Sequence, residues 1–131
     1  MASTVKEMME AANAMVPRVS VSEAQDMIQK GAMLLDVRDA PEVEKSGLAE
    51  GAVHVSRGML EFRADAGTPY HDKAFDKARP VVIYCASGGR AALAGKVLLE
   101  MGYQKVVNIG GFKDWAEAGG AVAHPVDPGM N

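Results

Sequence analysis

The sequence predicts an α/β fold, a central and mostly parallel sheet flanked by helices on both faces. Three observations carry this. The runs Met33 to Val37, Val81 to Tyr84 and Lys105 to Ile109 are rich in Val, Ile and Leu and lack the alternation of a strand with one wet face. Helical patterns lie between them, and strands alternating with helices form a parallel sheet covered on both sides. The chain has 131 residues, of which 48% are hydrophobic and 24% charged, which suits one domain with one real core. It shows no internal repeat, low-complexity run or second domain. Residues 1–17 read as an N-terminal helical extension, 18–122 as the domain and 123–131 as a loose C-terminal tail.

Taken in order, Thr4 and Glu7 fit a capping box, with Val5, Met8, Met9 and Ala12 at helical spacing and Pro17 ending the run. The methionines pack on the domain or form a dimer contact, so monomer and homodimer both stay open. Arg18 to Val21 is a short extended piece. Ser22 caps the next helix, with Gln25 at N3 and Ala24, Met27 and Ile28 on its apolar side, and Gly31 ends it. After the strand Met33 to Val37, Asp39 caps a short helix carrying Pro41 and Glu42 in its first turn, and Gly47 closes it.

Ala52 to Val55 is a further short strand, and Arg57 to Arg63 a short helix or turn anchored by Met59, Leu60 and Phe62. Residues 65–72 carry Gly, Pro and Asp turn signals and read as an exposed loop, followed by one helical turn from Lys73 to Lys77. The strand Val81 to Tyr84 leads through the cysteine loop into a helix with Leu93, Val97, Leu98 and Met101 on its apolar side and Gly102 at its C-terminal cap. After the last strand, Gly110 and Gly111 turn the chain into a short helix, Phe112 to Ala118, that buries Phe112 and Trp115.

Composition sets bounds on function. A net charge of −3 gives no electrostatic argument for nucleic acid or an anionic membrane. A single cysteine excludes an internal disulfide and a cysteine-based zinc site, and fits a reducing compartment. The N-terminus lacks a basic region followed by an apolar core, and no apolar run reaches the about 20 residues that span a bilayer. The expectation is a cytoplasmic protein.

The chemistry centres on Cys85, at the C-terminal end of a strand and in a short loop that opens a helix. The first turn of a helix leaves N–H groups unpaired and carries partial positive charge. Gly88 and Gly89 let the loop Ala86-Ser-Gly-Gly-Arg90 curl and aim its N–H groups at one point, and Arg90 adds a permanent cation. A thiolate at that point is stabilised. Asp36, Arg38 and Arg57 also fall at or just beyond strand C-terminal ends, where open α/β sheets bind ligands.

The quoted residues resemble a known family. Leu34-Leu-Asp-Val-Arg-Asp39, Gly51-Ala-Val-His-Val55, Tyr84-Cys-Ala-Ser-Gly-Gly-Arg90 and Gly110-Gly-Phe-Lys-Asp-Trp115 stand in the order and spacing of a single-domain rhodanese. The resemblance covers Arg18 to Val122. It implies a rhodanese-like fold and a sulfurtransferase in which Cys85 takes the outer sulfur of thiosulfate or a persulfide. Cyanide, a thiol or a protein acceptor then receives that sulfur. No metal or organic cofactor is implied. Residues 86–90 would cradle the persulfide, with Arg90 helping to bind the donor's oxyanion. Asp36 belongs to the family's structural signature under the loop, and Arg38 is either a loop-placing group or a structural ion pair. Arg57 and Arg63 face the same rim and are either attractors of an anionic donor or ordinary solvated arginines.

Two departures stand out. Ala86 replaces the basic or large residue that many members carry after the cysteine, which makes the entrance roomier and less charged. Gly47-Leu-Ala-Glu50 replaces the usual Gly-His-Ile-Pro. Three rival readings follow from the same residues. A cysteine phosphatase shares this fold, but its loop carries one more residue than the four between Cys85 and Arg90. A non-catalytic rhodanese-like binding module often lacks the cysteine, which is kept here. A Cys/His hydrolase would need His54, His71 or His124 as base; packing or surface roles are assigned to all three, and sheet packing to Tyr84.

Overall fold

The computed structural model describes residues 2–124. Helix α1 (Val5–Met15) is followed by α2 (Val21–Gln29), strand β1 (Met33–Asp36), α3 (Ala40–Ser46), β2 (Leu48–Ala49) and β3 (Val53–His54). A 3-10 turn, Arg57–Met59, runs into α4 (Leu60–Ala64). Then come β4 (Val81–Cys85), α5 (Gly89–Glu100), β5 (Val106–Gly111), α6 (Phe112–Glu117) and β6 (Val122–Ala123). The main sheet has the order β3-β1-β4-β5, and all its pairings are parallel. Strands β2 and β6 pair antiparallel in a small separate ribbon.

Each central strand is buried along its whole length because both faces are covered. One face sends Met33, Leu35, Val81, Ile83, Cys85 and Val106 against α4 and α5. The other sends Leu34, Val82, Tyr84, Val107 and Ile109 against α2 and Trp115 of α6. The period of two along β4 therefore puts Cys85 and Tyr84 on opposite faces. The α/β architecture with helices on both faces is the one the sequence predicts.

Several local expectations are corrected. The α2 cap is Ser20, whose Oγ accepts the Glu23 N–H at 3.1 Å, not Ser22. Both serines fit a capping pattern, and the earlier start buries Val21 beside Ala24. Residues 73–77 form turns, not a helical turn. Asp72 and Asp76 accept the N–H groups of Ala74 and Ala78, both at 2.9 Å, and so compete with helical bonding. Phe62 is exposed and stacks edge-on with Tyr70, so Leu60 and Ala64 anchor α4, with Met59 half-buried against the same core. On α5 the buried face is built from Ala91, Ala94, Gly95 and Leu98, while Leu93 and Val97 lie half-buried toward α1. Helix α1 packs on α5 through Ala12 and the following Val16, which meets Gly95, and leaves Met8 and Met15 largely exposed.

The last strand continues through both glycines. Gly110, at φ 94°, forms an irregularity between the pairings Ile83 with Asn108 and Cys85 with Gly111. Val122, the last residue read as domain, and Ala123, the first read as tail, pair with β2, and residues 125–131 lie outside the described residues. Among the described residues no helix is long and apolar enough to cross a membrane.

Candidate active site

Cys85 ends β4, and Gly88 is the N-cap of α5. The loop between them reverses tightly because Gly88 sits at φ 109°, a left-handed conformation that glycine adopts at no steric cost. This aims the start of α5 at the sulfur. The Gly88 N–H donates to Cys85 Sγ at 3.0 Å and the Ala91 N–H at 3.4 Å. Ala91 belongs to the first turn of α5 and lies one residue beyond the cradle that the sequence outlines. Gly89 and Arg90 add first-turn N–H groups that an α-helix leaves without internal partners. Cys85 itself is 1% exposed, while Ala86 and Ser87 are exposed beside it. The sulfur thus faces the positive end of a twelve-residue helix at the base of an open loop.

Arg90 is engaged inside the protein. Its Nη1 and Nη2 donate to Glu42 Oε1 and Oε2 at 2.7 and 2.9 Å. Glu42 Oε1 also accepts the Asp39 N–H, so one carboxylate caps α3 and clamps the start of α5. The hydrogen bond from Arg90 leads the effects that hold the Glu42 carboxyl down at about 2, against a smaller opposing effect of burial. The same bond leads in raising Arg90 above its ordinary range, with the charges of Glu42, Cys85 and Asp39 adding to it. Arg90 therefore stands at the end of the loop as half of an ion pair with Glu42.

Asp36 and Arg38 form a buried pair on the opposite side of the sheet from the thiol. The Asp36 carboxylate accepts the Arg38 N–H at 2.8 Å and also its Nε and Nη2. The remaining reach of the guanidinium goes to Ser46 Oγ and the Gly47 carbonyl, both at 2.7 Å. Phe112 stacks over the Arg38 guanidinium at 4.4 Å. Burial opposes the charge on Arg38, but the hydrogen bonds and charge of Asp36 more than offset it. Tyr84 donates nothing to the cysteine; its hydroxyl accepts the Ala49 N–H at 3.0 Å, and burial first, then Asp36, pushes its phenol above the ordinary range.

Arg57 stands apart from these residues. It pairs with Glu61 at 2.9 Å and lines a cavity of about 360 Å³ between α1 and α5, with Met8, Leu93 and Val97. Arg63 reaches the Tyr70 carbonyl. The cavity that does border the cysteine loop holds about 280 Å³, and its lining includes Ala86, Arg38, Phe112, Glu42, Lys45 and Lys113. His54 and His71 meet the carbonyls of Arg38 and Phe75, and neither bonds to Cys85.

Sequence reasoning missed Glu42 as a partner of Arg90 and missed two residues behind the loop, Arg18 and Asn108. The Arg18 guanidinium lies against Gly88 and Gly110, and Asn108 is buried beneath both glycines. A buried Asn in the middle of an apolar strand was the available signal for one of them.

Comparison with known proteins bears on this geometry. The Rhodanese-like domain family model matches residues 20–118. The thiosulfate sulfurtransferase GlpE of Coxiella burnetii is 33% identical over 103 residues, covering 77% of this chain and 88% of that protein. The polysulfide-sulfur transferase homodimer of Wolinella succinogenes is 35% identical, with a TM-score of 0.72 over 90% of this chain and 85% of that one. A protein of unknown function from Rhodopseudomonas palustris, described as a possible tyrosine phosphatase, is 34% identical, with a TM-score of 0.84 over 94% and 96% of the two chains.

Proposed function

The chain belongs to the rhodanese-like domain family, and on that premise we propose that it transfers sulfane sulfur through a persulfide on Cys85. The observation that carries the reading is the pair of N–H groups from Gly88 and Ala91 directed at the buried Cys85 sulfur at the head of α5. The Cys85 thiolate attacks the outer sulfur of thiosulfate or of a persulfide-type donor. A new S–S bond forms, and the donor's own S–S bond breaks, its electron pair leaving with sulfite or a thiolate. Cyanide or an acceptor thiolate then attacks the outer sulfur of the persulfide. The Cys85 thiolate departs with the bonding pair, and no external oxidant or reductant is consumed. Both the thiolate and the persulfide are anions, so the loop N–H groups stabilise each in turn.

Donors reach the loop past Ala86, whose methyl leaves the adjoining cavity open. Lys45 and Lys113 border that cavity and favour an anionic donor. A cysteine phosphatase is the competing enzyme reading, raised by the Rhodopseudomonas relative. The short spacing between Cys85 and Arg90 and the engagement of Arg90 by Glu42 weigh against it. A binding module without turnover is the competing reading of another class. The reading also assigns the chain small-molecule or protein sulfur acceptors.

The deciding experiment is intact mass after incubation with thiosulfate, or with a polysulfide, for the wild type and Cys85→Ser. The expected result is one added sulfur on the wild type, removed by cyanide and absent from Cys85→Ser. Absence of the adduct with both donors overturns the reading. Hydrolysis of p-nitrophenyl phosphate dependent on Cys85 would then establish the phosphatase, and its absence the binding module.

A further inference from the structure

We propose that Asn108 is a positioning residue for the sulfur cradle: from the neighbouring strand, it holds the Gly88 carbonyl, and so fixes the residue whose N–H meets the sulfur on Cys85. This rests on the persulfide reading. Asn108 is fully buried in β5, among strand neighbours that are all apolar or glycine. Burying an amide there is unfavourable unless both of its ends are bonded. Both are. Nδ2 donates to the Gly88 carbonyl at 3.0 Å, and Oδ1 accepts the Gly110 N–H at 2.8 Å.

The two backbone partners are the glycines whose conformations shape the site. Gly88 at φ 109° and Gly110 at φ 94° are both left-handed. The Gly88 carbonyl already accepts the Ala92 N–H at 3.0 Å, the first bond of α5, so the bond from Asn108 is an additional one. That second donor fixes the residue's orientation while its N–H points to Sγ at 3.0 Å. The Gly110 bond holds the irregularity in β5 that carries Gly111 beneath Ala86, where a Cβ on Gly111 would overlap the Ala86 carbonyl oxygen. The Asn108 main chain is itself tied, its N–H to the Pro17 carbonyl at 2.9 Å and its carbonyl to the Val19 N–H at 3.1 Å. One amide therefore links a fixed strand position to both ends of the loop's support. Leucine would fill similar space but bond neither glycine. Aspartate keeps the acceptor for Gly110 and loses the donor for Gly88.

The test compares Asn108→Asp and Asn108→Leu with Val107→Ala, which trims the adjacent core residue on the other face. Three quantities are measured on the full chain: melting temperature, rate of Cys85 alkylation by iodoacetamide at pH 7, and kcat and KM with thiosulfate or polysulfide. Loss of one directed hydrogen bond to an anion corresponds to about a tenfold effect. Both Asn108 variants are therefore expected to alkylate about tenfold more slowly and to lose about tenfold in kcat. KM is expected to stay within about twofold, and Val107→Ala to melt lower with both rates near wild type. Should Asn108→Leu fail to fold, Asn108→Asp alone decides. Asn108 variants that alkylate at the wild-type rate, or a Val107→Ala that slows as much as they do, overturn the proposal. Alkylation needs no sulfur donor, so a wild type that alkylates faster than the variants yet forms no persulfide removes the transfer reading and leaves the positioning role standing.

Discussion

Arg90 and Glu42 meet through two parallel hydrogen bonds of 2.7 and 2.9 Å, and this fork joins the first turn of α5 to the first turn of α3. The pair sits where the cysteine loop ends, so the charge at the loop rim belongs to an ion pair, beside the Gly88 and Ala91 N–H groups that meet the sulfur. Bidentate geometry makes it stronger than a usual surface contact, although both side chains keep about a third of their exposure, 36% each.

The pair makes stability pH-dependent with a definite sign. The Glu42 carboxyl lies at about 2 in the folded chain, against an ordinary 4.5. A lowered carboxyl contributes stability above its unfolded value and loses it as pH falls toward the folded one. Glu42→Gln is expected to be less stable than wild type by about 1 kcal/mol or less at neutral pH, given its exposure. The difference should shrink between pH 4.5 and about 2. Urea melts of both proteins across that range check it.

Arg38→Ala is expected to cost far more. It leaves the fully buried Asp36 carboxylate without its guanidinium and removes the stacking on Phe112. Breaking one side of a buried pair costs about 3–5 kcal/mol. Chemical denaturation gives the number, and a loss near zero would show that Asp36 finds other partners.

Gly111→Ala tests the close approach beneath the loop. The added methyl would overlap the Ala86 carbonyl oxygen and come within 3.2 Å of the Ser87 Cα. The expected outcome is about 1–3 kcal/mol of destabilisation, with the loop displaced. Persulfide formation should fall further than global stability explains, which intact-mass kinetics on the folded fraction would show.

Arg57→Ala is expected to change little. Its partner Glu61 is four residues away on the surface, and its cavity contains no residue of the cysteine loop. Such pairs contribute about 0.2–0.5 kcal/mol. Transfer rates should stay within about twofold of wild type, since an exposed pair this far from the loop adds little. A large fall would place Arg57 in donor capture after all.

Particular residues show what was legible in the chain. Apolar runs and the glycines around Cys85 were enough to place the cysteine at the junction of β4 and α5, because a strand's burial and a helix's start are written in neighbouring residues. The capping box of Thr4 and Glu7 was equally local. Ser20 against Ser22 was a near tie in local chemistry, and the core decided it by burying Val21.

By itself, then, the sequence determined the α/β class, the strand carrying Cys85, the helix that opens beyond it and the family resemblance. The tertiary structure alone decided that Arg90 is engaged by Glu42, that Arg57 turns toward α1, and that Asn108 supports Gly88. The physical reason is range. Periodicity and capping act over a few residues along the chain. Glu42 and Arg90 lie 48 positions apart, and Asn108 and Gly88 lie 20 apart, so their pairing exists only once parallel strands bring those segments side by side.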